Sequence, residues 1–507
     1  MPAKEIKELR QSGKLEEALI IAQEELDAQP DNIWGKRNIS WVYYEYIKRN
    51  VAASNFEGFI DNLTKLKELN LPQEEIMVFD TTAWQIGSMV FKLQAAETID
   101  YSKINKVFDL VKGFHLTKPS ESYSLLYKAF HKGYKNWSRF IEFADWWNFE
   151  NFKKEDYDKT VYNDRETMAL ADQAYIAYSK KLLEGQPLDA FGAIREVDKD
   201  KIKLFMPKLD KIISDHPEYQ YPPYFKAKLL LAIGDGDNVL SAFLPFAKQQ
   251  RNDFWVWDLM AEIFENDEKV QFASYCKALS LRAPKEFLVK TRQKFAELLI
   301  KGKHYKEAKT EIQKIISIRE EHGWKISNQL SDWMQSDWYA NTESQASNKQ
   351  LYAKHSMEAD EILFQDTPES CIAVEFVNHD KNVINFVSDH SLHGFFKYKG
   401  LNIKPEIGDV YKVRLQPFGN EGFYKALTIK EVAKDEYQEC KAIKQVTGSI
   451  RINDGQNFGF LEDVFITPGH IENGSLKNQD EITCNAIQSF NKKKNEWGWK
   501  CFKILKY

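Results

Sequence analysis

The strongest constraint on this chain is a change of period. Over roughly the first 330 residues apolar side chains recur at helical spacing in segments broken by Pro, Gly and Asn-Asp turns. From Cys371 onward, short runs alternate β-branched and aromatic residues and are separated by Asn, Asp and Gly clusters, which is a strand signal. A single core does not grow to 507 residues, so the two textures predict a helical part followed by separate small β domains.

Within the helical part, GKLEEALIIAQEELDAQPDN places Gly13, Leu15, Ala18, Ala22 and Pro30 so that alanines four apart let a second helix approach closely before Pro30 ends the unit. Trp34 and Trp41 fall on the next helix, and that unit closes near Pro72. Two later stretches repeat the design, one with Trp257, Ala261, Phe264, Ala273, Ala278 and Pro284, the other with Ala296, Gly302, Tyr305 and Ala308. These units resemble the tetratricopeptide repeat, a two-helix motif of about 34 residues, and imply an α-helical solenoid over 1–330. The resemblance weakens between about 75 and 250. There, NWSRFIEFADWWNFENF carries Trp137, Phe140, Trp146 and Trp147 at helical spacing. Solenoid core is the default reading of these rings, and a groove for a partner helix or tail is the sharper one. Residues 331–369 are expected to form a polar linker and a connecting helix.

The β region divides into five short strands over 370–436 and five over 443–507, the strand count of a small, partly open OB barrel. The fold class expected is therefore α+β multidomain, an N-terminal TPR-like α-helical solenoid followed by two small all-β OB/cold-shock-like barrels. The second barrel resembles the cold-shock domain through Gly448, Ile450 and Arg451 in its opening strand, Phe458-Gly459-Phe460-Leu461, Val464-Phe465-Ile466, and the closing Trp499-Lys500-Cys501-Phe502-Lys503-Ile504. It departs where Ile452 and Asn453 follow Arg451 in place of an aromatic pair, and where Thr467 replaces a histidine after the third strand. The resemblance implies binding of single-stranded RNA or DNA.

The residues support the same chemistry on their own. Positions i and i+2 of a strand share a face, so Phe458 and Phe460 form adjacent plates that Phe465 can complete, while Gly459 points inward. Unpaired bases stack on such plates with little sequence preference. The alternative is that these rings are barrel core. Residues 441–507 hold ten Lys or Arg against seven Asp or Glu, in a chain of net charge −5. Lys492, Lys493 and Lys494 lie beside Trp497, Trp499 and Lys500, and cations among rings suit a phosphate backbone with splayed bases; a solvated hairpin loop explains the lysines equally well. In the first barrel Asn378, Phe386 and Phe396 fall where Asn453, Phe460 and Phe465 fall, with Ile384 and Asn385 in place of the Phe-Gly pair. That barrel is expected to pack against the helices or a partner.

No phosphate-binding loop, HExxH, GxSxG or GxGxxG motif is present, so no catalytic residues are assigned. No cofactor and no metal are expected. Gly234-Asp235-Gly236-Asp237 lacks the later ligands of a calcium loop and reads as a helix-helix turn, and His379, His390 and His393 read as surface residues. Five scattered cysteines, no signal-peptide core and no long apolar run are consistent with a cytoplasmic protein off the membrane. The domain order resembles proteins of prokaryotic conflict or defence operons, which implies an adaptor working beside a helicase or nuclease. A pure protein scaffold, and an enzyme without a recognisable motif, are the competing classes.

Overall fold

The computed structural model describes the chain apart from residues 1, 163, 188–194, 389–391, 402, 492–494 and 507, and the side chains of 162, 187, 237, 435, 438, 439 and 506. It comprises a largely helical N-terminal part followed by two small β domains. The chain divides into two compact units at Phe246, inside the helix Gly236–Gln249. Among the described residues no helix is long and apolar enough to cross a membrane.

The first unit is built of helices between Pro2 and Ile233, with two short strand pairs. Several helices begin where the sequence supplies a side-chain cap: Asn32, Asn55, Asp100 and Ser120 each accept a backbone N–H of the first turn. Ala18 and Ala22 are fully buried, as their spacing requires. The Trp- and Phe-rich stretch forms the aromatic centre of this core. Trp147 stacks on Tyr123 with ring centroids 4.8 Å apart. Trp147 Nε1 donates to the Tyr123 carbonyl and the Tyr123 hydroxyl donates to the Trp147 carbonyl. Trp137 Nε1 donates to Asn105 Oδ1 at 2.8 Å. Satisfying the polar tips lets such large rings be fully enclosed. Gly234 and Asp235 form a helix-helix turn, with Gly234 at φ +80° closing the helix Pro222–Ile233 and Gly236 opening the next.

In the second unit, the helices Phe254–Ile263, Glu268–Ser280, Val289–Lys301 and Tyr305–Glu321 pack through Ala261, Ala273, Ala278, Ala296 and Ala308, all buried. The segment expected to be a polar linker is part of this packing. Helices Asn328–Gln335 and Asp337–Asn341 follow, and Lys349–Leu363 folds back onto Glu268–Ser280, where Lys277 Nζ meets Asp360 at 2.5 Å. Between them Lys309 Nζ donates to the carbonyls of Tyr339 and Thr342, and fully buried Asn348 donates to fully buried Glu311. Residues 342–348 are irregular and partly exposed, held at Thr342, Gln345 and Asn348, and the expected connecting helix is Lys349–Leu363.

The first barrel is closed, in the strand order one-two-three-five-four, from Glu369–Asn378, Val383–Val387, His393–Lys397, Val410–Pro417 and Phe423–Glu431. The second has strands Ile443–Ser449, Gly459–Leu461, Val464–Ile466, Glu481–Asn491 and Glu496–Lys506, with the helix Pro468–Gly474 between the third and fourth. Its sheet order is one-four-five-three-two, and the Arg451–Phe460 bridge joins the two edges, so both barrels share one topology. The barrels share an apolar core of Ala373, Val387, Val410, Cys440, Ala442 and Ile487. A Cβ on Gly408, at φ +90°, would lie 2.2 Å from the Phe502 ring, so only glycine admits this contact.

Candidate nucleic-acid interface

The second and third strands of the second barrel are only three residues each, and their register places the rings. Phe460 pairs directly with Phe465, so the two share a face. Phe458, just before the second strand, completes the group: the three ring centroids lie 5.6 to 6.0 Å apart. Phe460 is 40% exposed and the other two are half-buried. Gly459 is buried between them, where a Cβ would lie 2.9 Å from the Arg451 carbonyl oxygen and 3.1 Å from the Ile450 side chain. The glycine thus lets the opening strand cross behind the rings. Arg451 and Phe460 exchange both backbone hydrogen bonds, at 2.8 and 2.9 Å, so the bond that closes the barrel also holds the plate.

Cations flank this pair. Arg451 is exposed beside Phe460, its Nη2 donating to the Glu462 carbonyl. On the other side, Phe465 pairs with exposed Lys500 of the fifth strand. Arg451, Phe460, Phe465 and Lys500 therefore form one row across four strands, with cationic ends and an aromatic middle. Thr467, in the place where a histidine was expected, caps the helix Pro468–Gly474 by accepting from His470 N–H.

Other expected contributors stand elsewhere. Trp499 pairs with Val464 and packs against the barrel core, with Lys444 Nζ 4.3 Å from its ring centroid and held by Asp463. Trp497 packs on Phe490 and His393, between the two barrels. Neither tryptophan joins the phenylalanine row. Lys492, Lys493, Lys494 and His390 lie outside the described residues. Trp137, Phe140 and Trp147 are at most 1% exposed and Trp146 is half-buried, so the partner-groove reading fails: these side chains are the core.

The first barrel corrects another expectation. Phe386 and Phe396 are core residues, and Phe396 pairs with Ile384. The positions matching Phe460 and Phe465 are their neighbours, Asn385 and Phe395, which pair with each other. A slip of one residue in a strand exchanges the two faces. Among the described residues no cluster of His, Cys, Asp and Glu could hold a metal ion.

Comparison with protein families agrees with this geometry. Residues 364–427 match S1/CSD-like domain 1 of the TOTE conflict systems, and residues 444–504 match S1/CSD-like domain 2. The chain ends in two S1/CSD-like domains of TOTE conflict systems. These matches point to nucleic-acid binding in a conflict setting. Residues 220–359, which include the later repeat-like units, match a domain of unknown function (DUF7017). No curated protein matches the chain.

Proposed function

We propose that the second barrel holds single-stranded RNA or DNA on Phe458, Phe460 and Phe465, between Arg451 and Lys500. The protein acts as a non-catalytic adaptor in a conflict system, bringing that strand to a protein partner carried by its helices, such as a helicase or nuclease. The observation that carries this reading is the row in register across four strands: stacking surface in the middle and phosphate-neutralising charge at both ends. Duplex bases cannot reach such plates, which favours an unpaired ligand. For the partner, the helix Ile76–Gln94 supports an accessible surface, with Met77 and Trp84 exposed two turns apart.

Fluorescence anisotropy with labelled oligo-U and oligo-dT tests the strand-binding part. Phe460→Ala and Phe465→Ala should each weaken binding by about 1–3 kcal/mol while the barrel stays folded. Lys500→Gln should reduce the dependence of affinity on salt, and by the same amount for every sequence. Folded Phe variants that bind like the wild type would refute the assignment.

A further inference from the structure

The first barrel has a row at the same topological place. Phe376 pairs with Asn385, Asn385 with Phe395, and Phe395 with Phe423, through strands one, two, three and five. This is the path that Arg451, Phe460, Phe465 and Lys500 follow in the second barrel. Phe376 is 50% exposed. The Phe395 and Phe423 rings are stacked, 5.2 Å apart and within 16° of parallel, and exposed Phe418 meets Phe423 edge-on. Gly394 makes this possible: a Cβ there would lie 2.6 Å from both the Gly422 carbonyl oxygen and the Tyr424 ring.

This row opens onto a cleft of about 600 Å³ that includes Glu375, Asn385, His393, Phe395, Glu421 and Phe490 in its lining. Phe490 comes from the second barrel, and its ring lies 4.3 Å from that of His393. The volume is within the usual range of small-molecule sites. The walls differ in chemistry from the first row described. There the partners of the rings are cations; here two carboxylates, the amides of Asn385 and Asn495 and the His393 imidazole line the cleft. Glu375 is held in place by the Ser489 hydroxyl, which donates to Oε1 at 2.5 Å. Ionised carboxylates only accept hydrogen bonds, so the edge presented to them must donate. They also disfavour a phosphate, so a base rather than the backbone enters. Cytosine, adenine and guanine carry an exocyclic amino donor, whereas uracil and thymine carry only carbonyl oxygens as exocyclic polar groups.

We infer that this cleft is a second single-strand site, which takes an unpaired base bearing an exocyclic amino group onto Phe395 and gives the chain a base preference that the second barrel's row lacks. The inference rests on reading the second barrel as a single-strand site. Its test is anisotropy on the full chain with a twelve-nucleotide U-run and the same run carrying four central cytosines, with thymine and cytosine DNA versions as a separate arm. Wild type should bind the cytosine-bearing strand about tenfold more tightly, the scale of one good base-edge contact. Phe395→Ala, and separately the paired change Glu375→Gln with Glu421→Gln, should remove that difference while U-run binding persists. The paired Gln change preserves side-chain shape, so it reports even if Phe395→Ala unfolds the barrel. Phe460→Ala should weaken both strands and keep their ratio. Equal binding of the two strands by wild type, or a preference that survives both sets of changes, overturns the inference and leaves the second barrel's role intact. If neither strand binds, the reading of the second barrel fails and this one falls with it.

Discussion

Replacing Glu311 with alanine tests how the segment before the barrels is held. Glu311 lies on the helix Tyr305–Glu321 and is fully buried. Its Oε2 accepts from Arg292 Nη1 at 2.5 Å, and its Oε1 accepts from Asn348 Nδ2 at 2.6 Å and from the Tyr352 hydroxyl. Arg292 is itself only 13% exposed. Alanine would strand this guanidinium, leave the buried Tyr352 hydroxyl without its acceptor and take one of two acceptors from Asn348 Nδ2, which keeps the Glu307 carbonyl. Removing one partner of a buried pair costs about 3–5 kcal/mol, and the loss falls on the residues that tie 337–352 to the helices. Glu311→Gln keeps the shape and one acceptor but loses the charge, and should cost about 1–3 kcal/mol. Urea unfolding gives the stabilities. Limited proteolysis gives the location: Glu311→Ala should open a cleavage site between Trp338 and Lys349 that wild type resists. Glu311→Leu with Arg292→Met removes the stranded guanidinium but still takes Glu311 from the Tyr352 hydroxyl and Asn348, so it should recover only part of the stability. A Glu311→Ala variant within about 0.5 kcal/mol of wild type, with unchanged cleavage, would refute the idea that this network holds the segment.

Two further outcomes follow from particular contacts. Gly459→Ala should destabilise the second barrel by about 1–3 kcal/mol, since its Cβ meets the Arg451 carbonyl at 2.9 Å, and should weaken strand binding by disturbing both flanking rings; thermal unfolding and anisotropy read the two effects. Burial, with Lys180 adding to it, pushes His131 from 6.5 down to about 4, while burial pushes Asp172 up to about 6. His131 therefore contributes stability that is complete above pH 6.5 and is lost as the pH falls toward 4, up to about 3 kcal/mol. Asp172 acts in the opposite sense, its contribution falling as the pH rises from about 4 to 6. In an Asp172→Asn background the urea midpoint should thus drop steadily from pH 6.5 to 4.5, and adding His131→Phe should flatten that slope.

The parts legible in sequence were those where one residue type admits one geometry. Phe458-Gly459-Phe460 announces its facing because the glycine occupies the only inward position between two rings. The alanines at 18, 22, 261 and 308 mark close packing for the same steric reason. The phase of the first barrel was not legible. Asn385 is the one polar residue of its strand and sits between Ile384 and Phe386, whereas Phe395 and Phe396 are consecutive rings, so alternation alone does not say which of the two faces inward. Nor does helical spacing of Trp137, Phe140 and Trp147 distinguish a groove from a core, since both need apolar rings on one face; the hydrogen bonds to Asn105 and Tyr123 that allow full burial come from far along the chain. Nor does the polarity of 342–348 reveal that Thr342, Gln345 and Asn348 find partners on the helix Tyr305–Glu321.

The most direct test of the central claim is to cross-link the 507-residue chain to a photoreactive single-stranded oligonucleotide and locate the adducts by mass spectrometry. The row from Arg451 to Lys500 predicts adducts on the peptides carrying Phe458, Phe460 and Phe465, competed by unlabelled single strand and not by duplex. Adducts confined to the helical units, or competed equally by duplex, would contradict it.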